Sequence, residues 1–154
     1  MIRYVVAIVL TVALVVLAVP AIERGASMNS QRQVDASIAA IDDAATSLAE
    51  SEELSPDGHP DPRRVVDVTL PRGSLTTESV DHFEITPREN GSYSAVRYVL
   101  EDGTTRETVI GEPIVRNDPA DNESVELGGT GGVRLALTLQ ADDNGDPVVV
   151  ASRV

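Results

Sequence analysis

The chain has 154 residues, with 12 arginines, no lysine, 25 acids and a formal net charge of −13. Having no cysteine, it can form no disulfide framework, thiolate zinc site, iron–sulfur cluster or cysteine nucleophile, and without lysine there is no P-loop, Schiff base or lysine general base. So acidic a surface is repelled by phosphate backbones, which excludes nucleic acid as an expected partner.

The first element is apolar on every side. Tyr4 to Val19 read YVVAIVLTVALVVLAV, and Pro20, Ala21 and Ile22 extend the run to 19 residues. As a helix that run spans about 28 Å, close to the hydrocarbon thickness of a bilayer. Residues 1–22 are therefore expected to be a transmembrane helix, with the lipid bilayer as partner of residues 4–22. The competing reading is a signal peptide cut after Ala21, at Val19-Pro20-Ala21. A minimal charged flank, a long apolar run and a proline beside the cut favour the retained anchor.

Residues 23–54 read as an amphipathic stalk helix. Val34, Ile38, Ile41, Ala45 and Leu48 are spaced 4, 3, 4 and 3, an apolar seam with Asp, Ser, Gln and Thr on the other faces. The seam fits two surfaces equally: a partner helix, which would make these five residues a helix–helix interface, or the chain's own β domain. Gly25 is either a break or a bend within one helix from about Ile2 to Glu53.

Residues 55–64, SPDGHPDPRR, hold three prolines and a glycine and read as a linker. From Val65 the period changes to two. Val66, Val68 and Leu70 alternate with polar residues, as do Phe83 and Ile85, then Val96, Tyr98 and Leu100, and then Val133 to Leu139. Asp143-Asn144-Gly145-Asp146 is a hairpin signal before PVVVASRV. Residues 65–154 are thus expected to form about seven short strands in a small antiparallel β-sheet or sandwich, which makes the chain α+β.

Each candidate site has a plainer structural explanation. Asp142 to Asp146 carries alternating oxygen ligands but lacks the downstream acid of an EF-hand, so it reads as a turn. The acid-rich stretch Asp118 to Glu123 reads as a solvated loop. Gly128 to Gly132 runs into a strand and not a helix, so it reads as a loop and not an anion cradle. His59 and His82 have no ligand spacing, and no Gly-x-Ser-x-Gly elbow is present. No metal, no cofactor and no catalytic residue is expected, and the chain reads as a non-enzyme. Asn90-Gly91-Ser92 and Asn122-Glu123-Ser124 fit the N-glycosylation pattern and so favour an extracytoplasmic C-terminal domain.

A Val/Leu-rich membrane helix, an amphipathic helix and a compact β domain, in that order, resemble type IV pilin-like and pseudopilin-like subunits. The acidic, lysine-free composition resembles that of extremely halophilic archaea, whose dense carboxylates retain water at high ionic strength. The combination is similar to an uncharacterised haloarchaeal family of pilin-like single-span membrane proteins. That resemblance implies other pilin-like or secretion-system subunits as partners. One departure stands out: pilins place a basic leader and a glutamate ahead of the apolar run. Here only Met1, Ile2 and Arg3 precede it and Glu23 follows it, a departure that weighs against expecting leader processing or glutamate-dependent assembly.

The expected function is that of a membrane-anchored accessory or structural subunit of a surface filament or secretion system. A tethered β-domain binding module is the alternative, and an anchored enzyme comes third.

Overall fold

The computed structural model describes every residue except 57, 89–91, 121 and 130. One helix, α1 (Ile2–Ser51), takes up the first third of the chain. Its 50 residues extend about 75 Å at 1.5 Å per residue. Gly25 does not interrupt it, and Pro20 lies inside it. The proline has no N–H to give the Val16 carbonyl, yet the helix continues through it. At the far end Glu52 turns to an extended conformation, its N–H still bonded to the Leu48 carbonyl at 3.2 Å.

Among the described residues eight strands follow: β1 (Arg63–Leu70), β2 (Val80–Pro87), β3 (Ser94–Leu100), β4 (Thr105–Ile110), β5 (Ile114–Arg116), β6 (Val125–Glu126), β7 (Gly131–Ala141) and β8 (Pro147–Arg153). They form two four-stranded sheets, ordered β1-β7-β8-β5 and β4-β3-β2-β6. The chain is therefore α+β, a long apolar N-terminal helix followed by antiparallel-rich sheets. Register follows the alternating pattern. Val66 lies opposite Leu135 in one sheet, Phe83 opposite Tyr98 and Ile85 opposite Val96 in the other, so the inward side chains stack as cross-strand pairs. A bulge between Val80 and His82 resets the phase of β2.

Three expectations need correction. The strands are not all antiparallel, because β5 pairs with β8 in parallel. β5 has only three residues, too few to display a period of two. The 55–64 segment is not all linker: Arg63 and Arg64 already pair with Thr138 and Leu137 in β1. Gly131 and Gly132, read as loop, open β7 opposite Leu70 and Thr69. Position 131 favours glycine because its φ is +115°, a conformation that strains any other residue.

The inner faces of both sheets share one apolar core with the second half of α1. The helix lies chiefly along β1, with further contacts to β4, β7 and β8. Since β1 and β4 are edges of different sheets, α1 closes one open side of the sandwich.

Candidate functional site

The feature that sets this molecule apart is the contrast between the two halves of α1. Every residue from Met1 to Gly25 is exposed, although the run is long and apolar enough to cross a membrane. Contiguous apolar surface of this size is not left open to water by soluble monomers; it marks contact with lipid or protein. Within the apolar run Thr11 Oγ1 donates to the Ala7 carbonyl at 2.9 Å. This half is a candidate membrane span.

From Ala26 onward the helix is half-buried. Val34, Ile38, Ile41, Ala45 and Leu48 all lie in the core shared with the sheets. Of the two surfaces that suit this seam, a partner helix or the chain's own β domain, it packs on the β domain. Its spacing is the same for either surface, so only the three-dimensional arrangement distinguishes them.

Polar bonds run along both flanks of the seam. Ser30, fully buried, donates its hydroxyl to the Glu78 carbonyl at 2.8 Å and accepts the Glu78 N–H at 2.7 Å. Asn29 Nδ2 donates to the Thr76 carbonyl at 3.1 Å, and Ser37 Oγ to the Thr69 carbonyl at 3.0 Å. On the other flank Arg106 Nη2 donates to Gln31 Oε1 at 2.8 Å, and the Gly111 N–H to Asp42 Oδ1 at 2.9 Å. Tyr98 donates its hydroxyl to Asp35 Oδ1 at 3.3 Å. Burial and then the Asp35 charge push the Tyr98 hydroxyl up to about 12. These groups were not singled out from the sequence. The available signal was the placement of Ser27, Ser30 and Ser37 beside the apolar seam, where a small hydroxyl can meet a neighbouring backbone.

The electrostatics of the domain's two ends differ. Near the start of the buried half, burial opposes ionisation of Asp102, but the N–H and hydroxyl of Thr104 and the Ser27 hydroxyl outweigh it and hold the carboxyl below its usual range. At the opposite end burial, then the charges of Glu50 and Asp42, push the Glu112 carboxyl up.

Of the two sequons, Asn122 is exposed with φ +39° in the loop before β6; Asn90 lies outside the described residues. In the 142–146 turn, the Asp142 carboxylate accepts the N–H groups of Asn144 and Asp146, each at 2.8 Å. These bonds, that of Asp146 foremost, hold its carboxyl below the usual range. The side chain thus holds the turn, with Gly145 at φ +88°. His82 Nε2 lies 3.5 Å from Glu84 Oε2, and no metal-sized group of three or more His, Asp or Glu residues occurs among the described residues. Where the β5 and β6 edges approach, a recess of about 480 Å³ is lined in part by Arg116, Glu126 and Arg153. Arg153 Nη2 donates there to the Glu126 carbonyl at 2.7 Å.

The chain belongs to the family of the domain of unknown function DUF7311, whose model matches residues 1–154. Neither a curated protein nor a solved structure matches it.

Proposed function

We propose that this protein is a membrane-anchored, pilin-like accessory or structural subunit of an archaeal surface filament or secretion system. One observation carries the reading: a single unbroken helix offers a bare apolar half for a membrane and commits its other half to a folded β domain. Anchor and domain then share one continuous helix. Subunit contacts run through the exposed half, since the Val34–Leu48 seam is occupied.

The domain faces the outside of the cell. In support, Asn122 is open to solvent in its sequon, and the region after Ile22 carries 11 arginines against all 25 acids. Such a surface suits a saline exterior, where salt screens its self-repulsion.

The test is crosslinking in native membranes followed by purification through the C-terminus. Pilus or secretion-platform subunits captured with the chain support the proposal. A lone monomer, together with normal piliation and secretion in a deletion strain, would overturn it. A tethered binding module is the second reading, favoured by the recess with Arg116 and Arg153, two cations in a strongly acidic domain. On that reading the deletion strain loses capture of an anionic ligand and keeps its filaments.

A further inference from the structure

We infer that the loop between β1 and β2 is a second membrane contact: Leu75 seats in the lipid headgroup layer beside the point where α1 leaves the bilayer, so the β domain rests on the membrane surface. This inference rests on the reading of Tyr4–Ile22 as a membrane span.

The helix is its own ruler. It is continuous from Ile2 to Ser51, so each residue adds about 1.5 Å along its axis. Burial by the β domain begins at Ala26, which is 3% exposed. That is four residues beyond Ile22, or about 6 Å. The headgroup layer on each face of a bilayer is itself about 5–8 Å deep. No length of free stalk separates the span from the domain, and the near end of the domain falls at headgroup level.

Hydrogen bonds place the β1–β2 loop at that end, beside the β3–β4 turn, where Asp102 meets Ser27. Asn29 holds the Thr76 carbonyl and Ser30 holds both backbone groups of Glu78. The opposite end is marked by Asp42 on Gly111. Within the near loop Leu75 is 88% exposed, more than any other large apolar side chain among the described residues of the β domain. The loop around it is ordered. The Ser74 N–H donates to the Thr77 carbonyl at 2.7 Å, and Thr77 Oγ1 donates to the Arg72 carbonyl at 2.6 Å. Its hydroxyls and backbone are thus engaged internally, and an isobutyl group is left at the tip.

Leu75 shares an open groove of about 480 Å³ with Ile22, Met28 and Arg32 of α1. Ile22 is the last residue of the apolar run, so the groove is continuous with the lipid-facing surface. The pairing of apolar side chains with one arginine matches the acyl–phosphate boundary, where Arg snorkels to phosphate and Leu enters the chains.

The chain has no tryptophan, so one introduced indole is the sole reporter. Full-length Leu75→Trp, Leu14→Trp and Val109→Trp variants are reconstituted at molar KCl in phosphatidylcholine vesicles containing either headgroup-nitroxide or acyl-chain-nitroxide lipid. Leu14 reports the span. Val109 reports the far side, since Gly111, two residues on, is bonded to Asp42, about 30 Å along α1 from Ile22. The expected result is that Leu75→Trp loses more than half its emission to the headgroup quencher, while Val109→Trp loses none. If Leu14→Trp is quenched by the acyl-chain label but Leu75→Trp behaves like Val109→Trp, the inference fails and the span stands. A Leu75→Trp indole that is blue-shifted yet unquenched means a second copy covers the groove, which also overturns it. An unquenched Leu14→Trp defeats the span reading and the inference together.

Discussion

The Tyr98 hydroxyl of β3 donates to the Asp35 carboxylate of α1 at 3.3 Å, while its ring, 1% exposed, lies opposite Phe83 in the core. One side chain thereby joins the apolar interior of the sandwich to the polar flank of the helix. Burial of the phenol explains both its packing and its reluctance to ionise.

That reluctance gives a pH dependence. The unfolded tyrosine titrates at 10.0 and the folded one at about 12. The raised folded value means that the contribution of Tyr98 is fully present below pH 10. It is lost as pH climbs through that interval, because the unfolded chain releases its proton first. The chain has no lysine or cysteine to add to that dependence. Denaturant midpoints should therefore fall between pH 10 and 12 in the wild type and fall less in Tyr98→Phe. Equal slopes for the two proteins would contradict the assignment.

Ile41 is fully buried in the seam, whereas Leu14 is exposed on the bare half. Ile41→Ala should destabilise the β domain by about 2–5 kcal/mol, the usual cost of a buried cavity. Leu14→Ala should leave it within about 0.5 kcal/mol. Urea titration in detergent, read by circular dichroism of the sheets, separates the two. If Ile41→Ala shifts the oligomeric state and spares the domain, the seam serves a partner helix instead.

Ser30→Ala removes a hydroxyl that both donates to and accepts from Glu78. The half-buried backbone groups left behind should cost about 1 kcal/mol, since water can replace part of the lost bonding. The Glu78 amide should also exchange with deuterium faster, by an amount matching the lost stability. Unchanged exchange at that amide would show that the loop is held by other contacts.

The Asp142 carboxyl is predicted to titrate below its ordinary 3.8, because backbone N–H groups of its own turn stabilise the charged form. A lowered folded value gives stability that is present above pH 3.8 and lost as the pH falls further. Carboxyl-resolved NMR titration measures the midpoint directly, and a value at or above 3.8 would refute the turn-holding role. Millimolar calcium should leave the 142–146 amide shifts unmoved.

Much of the architecture can be read from the sequence because two periods dominate it. The all-apolar run and the 3.5-residue seam mark α1, alternation marks β1, β2, β3 and β7, and the Asp143–Asp146 turn announces β8. The β5 strand escapes because Ile114–Arg116 is too short to alternate and its pairing is parallel. The start of β1 escapes because Arg63 and Arg64 sit exposed among prolines. What covers the seam is set by tertiary packing, since the same five side chains would suit either a sheet or a helix. Ser30 and Asn29 look like solvated positions of the stalk; their partners at Glu78 and Thr76 are more than 45 residues away.

The central claim is that one continuous helix is retained and holds the domain at a membrane. Intact-mass measurement of the protein extracted from native membranes tests it most directly. The account predicts the full chain at 16.3 kDa, with any additional mass assigned to glycan on Asn90 or Asn122. A soluble species lacking residues 1–21 would contradict it.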